Sequence, residues 1–277
     1  MAIVRFKPQI WVAALLESIK KNLVYAELCN RDYEGEIRAA GDTVRITSIS
    51  RPSISTYARN TDISYEELTD AQRTLVVDQE KYWGFTIDDV DAAQARASVV
   101  SEAMAEASYA LADTVDQFVA GLYTQVNTAN QLGTVSVTTA DLAYTQLRLL
   151  SLKLDEANIP TAGRWVVVPP WYHSLLLENS KFVNYQNSNS TEPLYNGRVG
   201  RALGFDIRMS NNVPLVTGDD YAVIAGTNRA MTFAQQMMKT EAGRSEKRFG
   251  DWMRGLAVYG AKVLRPEGLA TVIASQT

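Results

Sequence analysis

The fold is decided by Glu34 to Gln125, a stretch that contains TVRITSI at residues 43–49 and TLVVDQEKYWGFTI at residues 74–87. The first segment alternates polar and apolar residues as a half-buried strand does, and the second is rich in residues that favour strands. The residues between them, 50–73, are mostly polar. The pattern predicts a long β-hairpin. Because an isolated two-stranded ribbon is only marginally stable in water, the hairpin should lie on another surface.

A long amphipathic helix is predicted directly after the hairpin, because apolar residues recur at steps of three and four. The repeating positions are Val90, Ala93, Ala97, Val100, Met104, Ala107, Leu111, Val115, Phe118 and Leu122. At 1.5 Å per residue this spine helix would be roughly 50 Å long. An arm followed by a spine is typical of a flat subunit that overlaps its neighbours, and it fits a compact monomeric enzyme poorly.

Composition bounds the class of protein. The chain has 277 residues, 46% of them apolar and 21% charged, which indicates a globular protein with a sizeable core. Its 27 basic and 31 acidic residues give a net charge of -4 without runs of like charge, so no general attraction to nucleic acid is expected. Cys29, the single cysteine, excludes an internal disulfide and is interpreted as a core residue. No stretch has the length of a transmembrane helix.

The segments outside the hairpin and the spine helix predict a mixed α and β chain. Residues 8–30 form an amphipathic opening helix that starts at Pro8 and packs either on its own core or on a neighbouring subunit. A polar link follows the spine helix. The further predicted elements are a helix from Thr138 to Ala157, a strand at 164–168, a helix at 171–179, and strands at 204–209, 221–225, 230–238, 253–263 and 269–274.

The last three of these strands need a surface for their apolar face, and the spine helix is the expected partner. A charged loop is predicted between two of them at residues 241–251. Gly255 and Gly260 within the strands indicate bulges or close packing.

The residues that usually carry catalysis or bind metals are sparse. His173, the single histidine, is interpreted as structural because no nucleophile motif or second histidine accompanies it. One histidine and one cysteine cannot form the usual zinc site. Asp88, Asp89 and Asp91 lack the spacing of a calcium loop and are interpreted as favourable charge near a helix N-terminus. Phosphate-binding loops, dinucleotide fingerprints and nucleophile elbows are absent from the sequence. It therefore predicts no catalytic, cofactor-binding or metal site.

Six short turn and strand segments follow one another in a characteristic order over nearly the whole chain. They are Pro8–Trp11, Leu28–Glu36, Ala40–Ile46, Gly200–Asp206, Ser210–Pro214 and Lys262–Gly268. In these segments the sequence resembles the major capsid proteins of tailed bacteriophages, which have the Hong Kong phage-type capsid fold. The resemblance implies an α+β chain with an N-terminal arm, an extended β-hairpin loop, a long spine helix on a β-sheet and an inserted α/β axial domain.

The resemblance also implies boundaries and a structural function. The implied parts are the N-terminal arm at 1–33, the extended loop at 34–87, the peripheral domain at 88–126 and 226–277, and the axial domain at 127–225. Many copies would assemble as hexamers and pentamers into an icosahedral shell. That shell would enclose double-stranded phage DNA without sequence-specific binding. Further implied partners are scaffolding, portal and decoration proteins. The chain would be made in the cytoplasm of the host bacterium and reside in the virion capsid, with no membrane and no cofactor.

Binding sites in such a protein are interfaces between subunits. The hypothesis is that charged and aromatic side chains of the hairpin tip, together with one residue of the opening helix, contact neighbouring subunits. They are Arg51, Tyr57, Arg59, Asp62, Glu66, Glu67 and Trp11.

Two other readings of the sequence stay open at this point. An encapsulin-like nanocompartment shell shares the fold but encloses enzymes, and a bound cargo peptide would distinguish it. A soluble α+β enzyme using His173 and nearby carboxylates would be a monomer or small oligomer with a concave pocket, which the unsupported hairpin argues against.

Overall fold

A computed structural model describes residues 24–32, 43–49, 70–88, 99–179, 200–245 and 249–277, together with residues 54, 56, 59 and 62. Within this part, the chain forms a two-stranded sheet, a three-stranded sheet and a seven-stranded sheet, with three α-helices. The fold is thus of the α+β class.

The two-stranded sheet is the base of the predicted hairpin. Strand β1 (Thr43–Ile49) pairs antiparallel with β2 (Asp70–Val76) along its whole length. The next strand, β3 (Gln79–Asp88), pairs instead with a strand near the other end of the chain. The prediction of one returning strand over residues 74–87 was therefore wrong, because the chain changes partners at Val77 and Asp78.

The three-stranded sheet has the order β10-β11-β3, where β10 is Met231–Arg244 and β11 is Gly250–Val263. Both ladders are antiparallel. The predicted charged loop at 241–251 is shorter than expected, because paired residues extend to Arg244 and Asp251.

The spine helix, α1 (Val99–Ala120), has 22 described residues and a length of about 33 Å. Its predicted continuation to Val90 falls largely on residues outside the described part. The apolar repeat holds where it can be checked: Met104, Leu111 and Val115 are buried in a core cluster with residues of β10 and β11. The Phe118 ring meets the ring of Tyr259 edge-on at 5.4 Å.

The seven-stranded sheet has the order β4-β12-β9-β5-β7-β6, with β8 paired beside β9. Its strands are β4 (Gln131–Ser136), β5 (Arg164–Val168), β6 (Arg201–Ala202), β7 (Phe205–Met209), β8 (Leu215–Thr217), β9 (Asp220–Thr227) and β12 (Leu269–Ser275). Helices α2 (Ala140–Glu156) and α3 (Pro170–Glu178) share a core cluster with this sheet. The helices predicted at 138–157 and 171–179 and the strand at 164–168 are confirmed, although the α2 cap is Thr139 and not Thr138.

The central strand β5 shows why the two cores stay apart. Val166 and Val168 belong to the cluster with α2 and α3, whereas Trp165 and Val167 belong to the cluster with the spine helix. Alternate side chains of a strand point to opposite faces, so the larger sheet separates the two cores.

Strand β12 departs from the expected grouping. The sequence pattern placed it with the spine helix and the smaller sheet, but it pairs with β9 and β4 in the larger sheet. Strand β4 lies in the segment that was predicted to be a polar link. The parallel partner that makes it a strand is more than one hundred residues away in the sequence.

The segment 24–32 does not continue the predicted opening helix. Ala26–Leu28 forms a single 3-10 turn, and Asn30 then makes a parallel bridge with Thr232 at the edge of β10. Residues 8–23 of the predicted helix lie outside the described part of the chain.

Candidate functional site

The two faces of the three-stranded sheet differ in what covers them. On the inner face, Trp83 and Phe85 of β3 pack against the spine-helix cluster, with their rings stacked at 5.7 Å. Tyr82 and Gly84 alternate with them and therefore lie on the opposite, outer face. Tyr82 is 85% exposed, so the outer face of the subunit is open there.

One end of the outer face is covered by the base of the chain's own hairpin, which we call the hairpin root (Leu75 and Val77). Both side chains are buried, and they form a small cluster with Ala234 and Val258 of the sheet. Val76 between them is 41% exposed. The root therefore fixes where the hairpin leaves the subunit.

A glycine allows the root to approach the sheet closely. A Cβ atom on Gly260 would lie 2.5 Å from the carbonyl oxygen of Val76 and 2.9 Å from Cα of Val77. Any larger residue would push this backbone away. The expectation of close packing at Gly260 is confirmed, and Gly255 is similar, because its added Cβ would lie 2.6 Å from the Trp83 indole.

The other end of the outer face forms an open groove of about 690 Å³. We call the outer-face side chains that line it the outer strip: Tyr82, Thr86, Lys239, Glu241, Trp252, Arg254 and Leu256. Glu241, Trp252 and Leu256 are half-buried, and the other four are exposed. Glu241 pairs with Lys239 and also accepts from Arg254 Nε at 2.8 Å. Hydrogen bonds from Lys239 and then Arg254 lower the pKa of Glu241. The Arg254 guanidinium lies 4.8 Å from the centre of the Trp252 ring, so the strip is a pre-ordered patch of aromatic and charged groups.

The predicted interface residues are mostly beyond what the structure describes. Arg59 and Asp62 are described, and both are exposed. The other members of the set lie outside the described residues: Arg51, Tyr57, Glu66, Glu67 and Trp11. Their role therefore stays a prediction. Sequence reasoning missed the hairpin root, for which the only signal was the apolar run Leu75-Val76-Val77.

His173 and Cys29, the two residues considered for reactivity, lie in environments that favour a structural role. His173 lies in α3, and burial lowers its pKa. The Cys29 thiol is buried and donates to the carbonyl oxygen of Tyr25 at 3.2 Å. Burial raises the pKa of Cys29 to about 12, so the thiol is protonated at neutral pH. Among the described residues, no group of three or more His, Cys, Asp or Glu side chains is arranged to hold a metal ion.

Comparison with known proteins assigns this architecture. The family model described as phage capsid protein matches residues 49–272, which is most of the chain. The chain belongs to this family.

Solved structures of similar fold support the assignment. A structure from Mycobacterium phage Che8 is 30% identical over 98% of this chain and 94% of its own, with a TM-score of 0.77. The capsid of cyanophage P-SCSP1u is 20% identical over 100% of this chain and 91% of its own, with a TM-score of 0.75. A virus-like particle from Pyrococcus furiosus is 13% identical over 96% of this chain and 98% of its own, with a TM-score of 0.59, and at that identity it shows the shared fold alone. Among curated proteins, none matches the chain.

The predicted class is thereby confirmed. The chain is a structural major capsid protein with the Hong Kong phage-type fold; it forms a shell, resides in the virion capsid and is not an enzyme. The enzyme reading of the sequence was therefore wrong. None of the helices in the described part of the chain combines the length and apolarity needed to cross a bilayer.

Proposed function

We propose that this capsid protein assembles as hexamers and pentamers that close into an icosahedral shell around double-stranded DNA. Family membership supports the shell. The observation that carries the finer proposal is the uneven covering of the outer sheet face, where the hairpin root buries one end and the outer strip stays open. A subunit that exposes such a patch beside the base of its own long hairpin is suited to receive the hairpin of a neighbour.

The hairpin tip is the proposed donor and the outer strip the proposed acceptor. The tip residues Arg51, Tyr57, Arg59, Asp62, Glu66 and Glu67 would contact a neighbouring subunit, and Trp11 would do so from the opening segment. Acidic tip residues can meet Lys239 and Arg254, whose side chains are 71% and 63% exposed. Isolated exposed ion pairs contribute little, so burial of Tyr82 and Leu256 would supply most of the contact energy.

The parts of the subunit are proposed as follows: an N-terminal arm at 1–33, an extended loop at 34–87, a peripheral domain at 88–126 and 226–277, and an axial domain at 127–225. Two strands qualify these boundaries. Strand β3 lies within the extended-loop range but pairs in the sheet of the peripheral domain, and β12 contributes to the sheet of the axial domain.

The interior of the shell would enclose DNA without binding it tightly. Affinity for the phosphate backbone rises with the number of Lys and Arg contacts, and this chain has a net charge of -4. The DNA is therefore contained and not read. Scaffolding, portal and decoration proteins are the further proposed partners, and the host bacterial cytoplasm is the proposed place of synthesis.

The donor side is tested by shortening the hairpin tip between Pro52 and Asp70 to a brief Gly-rich turn. The subunit should stay folded by circular dichroism, because the root and the cores are untouched, but light scattering and electron microscopy should show no closed shells. Normal shells from this variant would refute the proposed donor role of the hairpin tip.

The acceptor side is tested by Tyr82→Ala, with Tyr109→Ala as the matched control. Tyr109 is 58% exposed on the spine helix and outside the outer strip. The first variant should reduce shell yield and the second should not. Equal yields from the two variants would mean that the outer strip is not the acceptor.

A further inference from the structure

A buried carboxylate joins three parts of the subunit that are distant in sequence. Asp116 of the spine helix is 2% exposed. Its Oδ1 accepts from the backbone N–H of Val24 at 3.1 Å and of Tyr25 at 2.7 Å. Its Oδ2 accepts from Nδ2 of Asn212 at 3.1 Å. All three donors are neutral, so hydrogen-bond geometry holds this carboxylate in place.

Each donor belongs to a segment that is anchored elsewhere. The segment 24–32 is held at its other end, where the N–H of Asn30 donates to the carbonyl oxygen of Met231 at 2.8 Å. The loop that carries Asn212 continues the larger sheet, since the N–H of Ser210 donates to the carbonyl oxygen of Val168 at 3.1 Å. Asp116 is therefore a direct polar link between segment 24–32 and the larger sheet.

The surroundings make this link costly to break. Tyr25 is fully buried, and it belongs with Val115, Val119 and Val213 to one apolar cluster. A backbone N–H that loses its acceptor in such surroundings stays removed from water without a hydrogen bond, which is destabilising. Burial raises the pKa of Asp116 and the hydrogen bonds lower it. The site therefore requires a hydrogen-bond acceptor at this position, whereas burial of the negative charge of the carboxylate is unfavourable.

We propose that Asp116 is a positioning residue that couples the loop at 210–214 to the start of segment 24–32. Oδ2 holds Asn212 while Oδ1 holds the two backbone amides, so the carboxylate is oriented by both sides at once. When the loop moves away, the carboxylate loses the bond that orients it, and its hold on Val24 and Tyr25 weakens. The position of the start of segment 24–32 then depends on the position of the larger sheet. This coupling is a property of the single subunit and does not rest on the proposed shell geometry.

Hydrogen exchange of the backbone amides at 24–28 tests the coupling, with all variants compared in the same assembly state. Asn212→Ala should speed exchange at Tyr25 about tenfold, the effect of losing roughly one charge-assisted hydrogen bond, although Asn212 does not hydrogen-bond to Tyr25 itself. Asn211→Ala is the control, because Asn211 is the exposed neighbour in the same loop. It should leave exchange at Tyr25 unchanged.

Two substitutions of Asp116 separate hydrogen bonding from charge. In the Asp116→Asn variant, the backbone amide of Tyr25 should exchange at the wild-type rate. The substituted side chain keeps one acceptor oxygen for the two backbone donors, and its NH₂ group can donate to the side-chain oxygen of a flipped Asn212. Asp116→Ala should release the segment or fail to fold. The coupling is refuted if Asn212→Ala leaves Tyr25 as protected as wild type, or if Asp116→Asn exchanges as fast as Asp116→Ala.

Discussion

Truncation of Leu75 to alanine tests whether the hairpin root directs the hairpin. Leu75 is fully buried in a cluster with Val77, Ala234 and Val258. Removing three carbon atoms costs about 2.4 kcal/mol at about 0.8 kcal/mol per buried CH₂. A residual cavity adds to this, and measured Leu→Ala losses span about 2–5 kcal/mol. The cluster has only four buried members and lies on the outer face of the sheet, so the lower part of that range, about 2–3 kcal/mol, is expected.

This loss should appear as local opening. A change of about 2–3 kcal/mol raises the population of a detached root by about 30- to 150-fold, because each 1.4 kcal/mol is a factor of ten. The spine-helix core shares none of the four cluster residues. The main unfolding transition should therefore shift less than the local opening does. Detached hairpins point in many directions, so shell assembly should suffer more than subunit stability.

The assay combines hydrogen exchange over residues 70–77 with shell yield by light scattering. Val76→Ala is the matched control, because Val76 is the neighbouring residue, is 41% exposed and faces away from the cluster. It should exchange and assemble like the wild type. The reasoning fails if Leu75→Ala keeps wild-type protection and shell yield, or if Val76→Ala is equally damaging.

Two further substitutions address other features. Gly260→Ala places a Cβ atom 2.5 Å from the Val76 carbonyl oxygen and should destabilise the hairpin root by about 1–3 kcal/mol, measured by hydrogen exchange over residues 70–77. Gly121→Ala, which meets nothing within 4 Å, should be neutral, and equal losses from both would contradict the contact. Burial raises the pKa of Asp116 above 3.8, so its contribution to stability falls as pH rises through the folded pKa. The melting temperature of Asp116→Asn relative to wild type should therefore rise from pH 4 to 7, whereas a flat or falling difference would refute this; Glu106→Gln, at an exposed position of the same helix, is the control.

Periodicity predicted α1, α2 and α3 well, because a helix is specified by residues close together in the sequence, but it failed at residues 24–30, where the predicted opening helix is a 3-10 turn and a bridge to β10. The spine repeat at Met104, Leu111 and Val115 and the start of α2 after a threonine cap both follow local rules. The order of turn segments, compared with a known family, supplied the fold class that periodicity alone could not.

Strand partners were harder to predict, because pairing joins distant residues. Nothing local in residues 74–87 shows that the chain leaves β1 after Val76 and joins β11 from Gln79 onward. The polar strand β4 was missed because its pairing with β12, and not its composition, makes it a strand. The loop predicted from charge at 241–251 is largely ladder, because Glu241 and Arg254 pair across the two strands.

The candidate site was only partly readable from the sequence. Exposed charges at the hairpin tip drew attention, whereas the root depends on two apolar residues meeting a glycine that lies nearly two hundred residues later in the chain. The role of Asp116 was not visible either, because two of its three donors are backbone amides that any sequence would supply, and the third, Asn212, lies nearly one hundred residues later in the chain.

The pairing of β12 has a consequence for protein synthesis. Its two neighbours in the larger sheet, β4 and β9, are translated well before it, and β4 has no other partner strand among the described residues. A ribosome that stops before Leu269 would therefore release a chain whose larger sheet lacks β12, so that β4 and β9 each lose a neighbouring strand. Such a product could be recognised as defective from its fold alone. Whether the larger sheet is complete thus depends on translation through β12, and this is determined before the subunit contacts another copy.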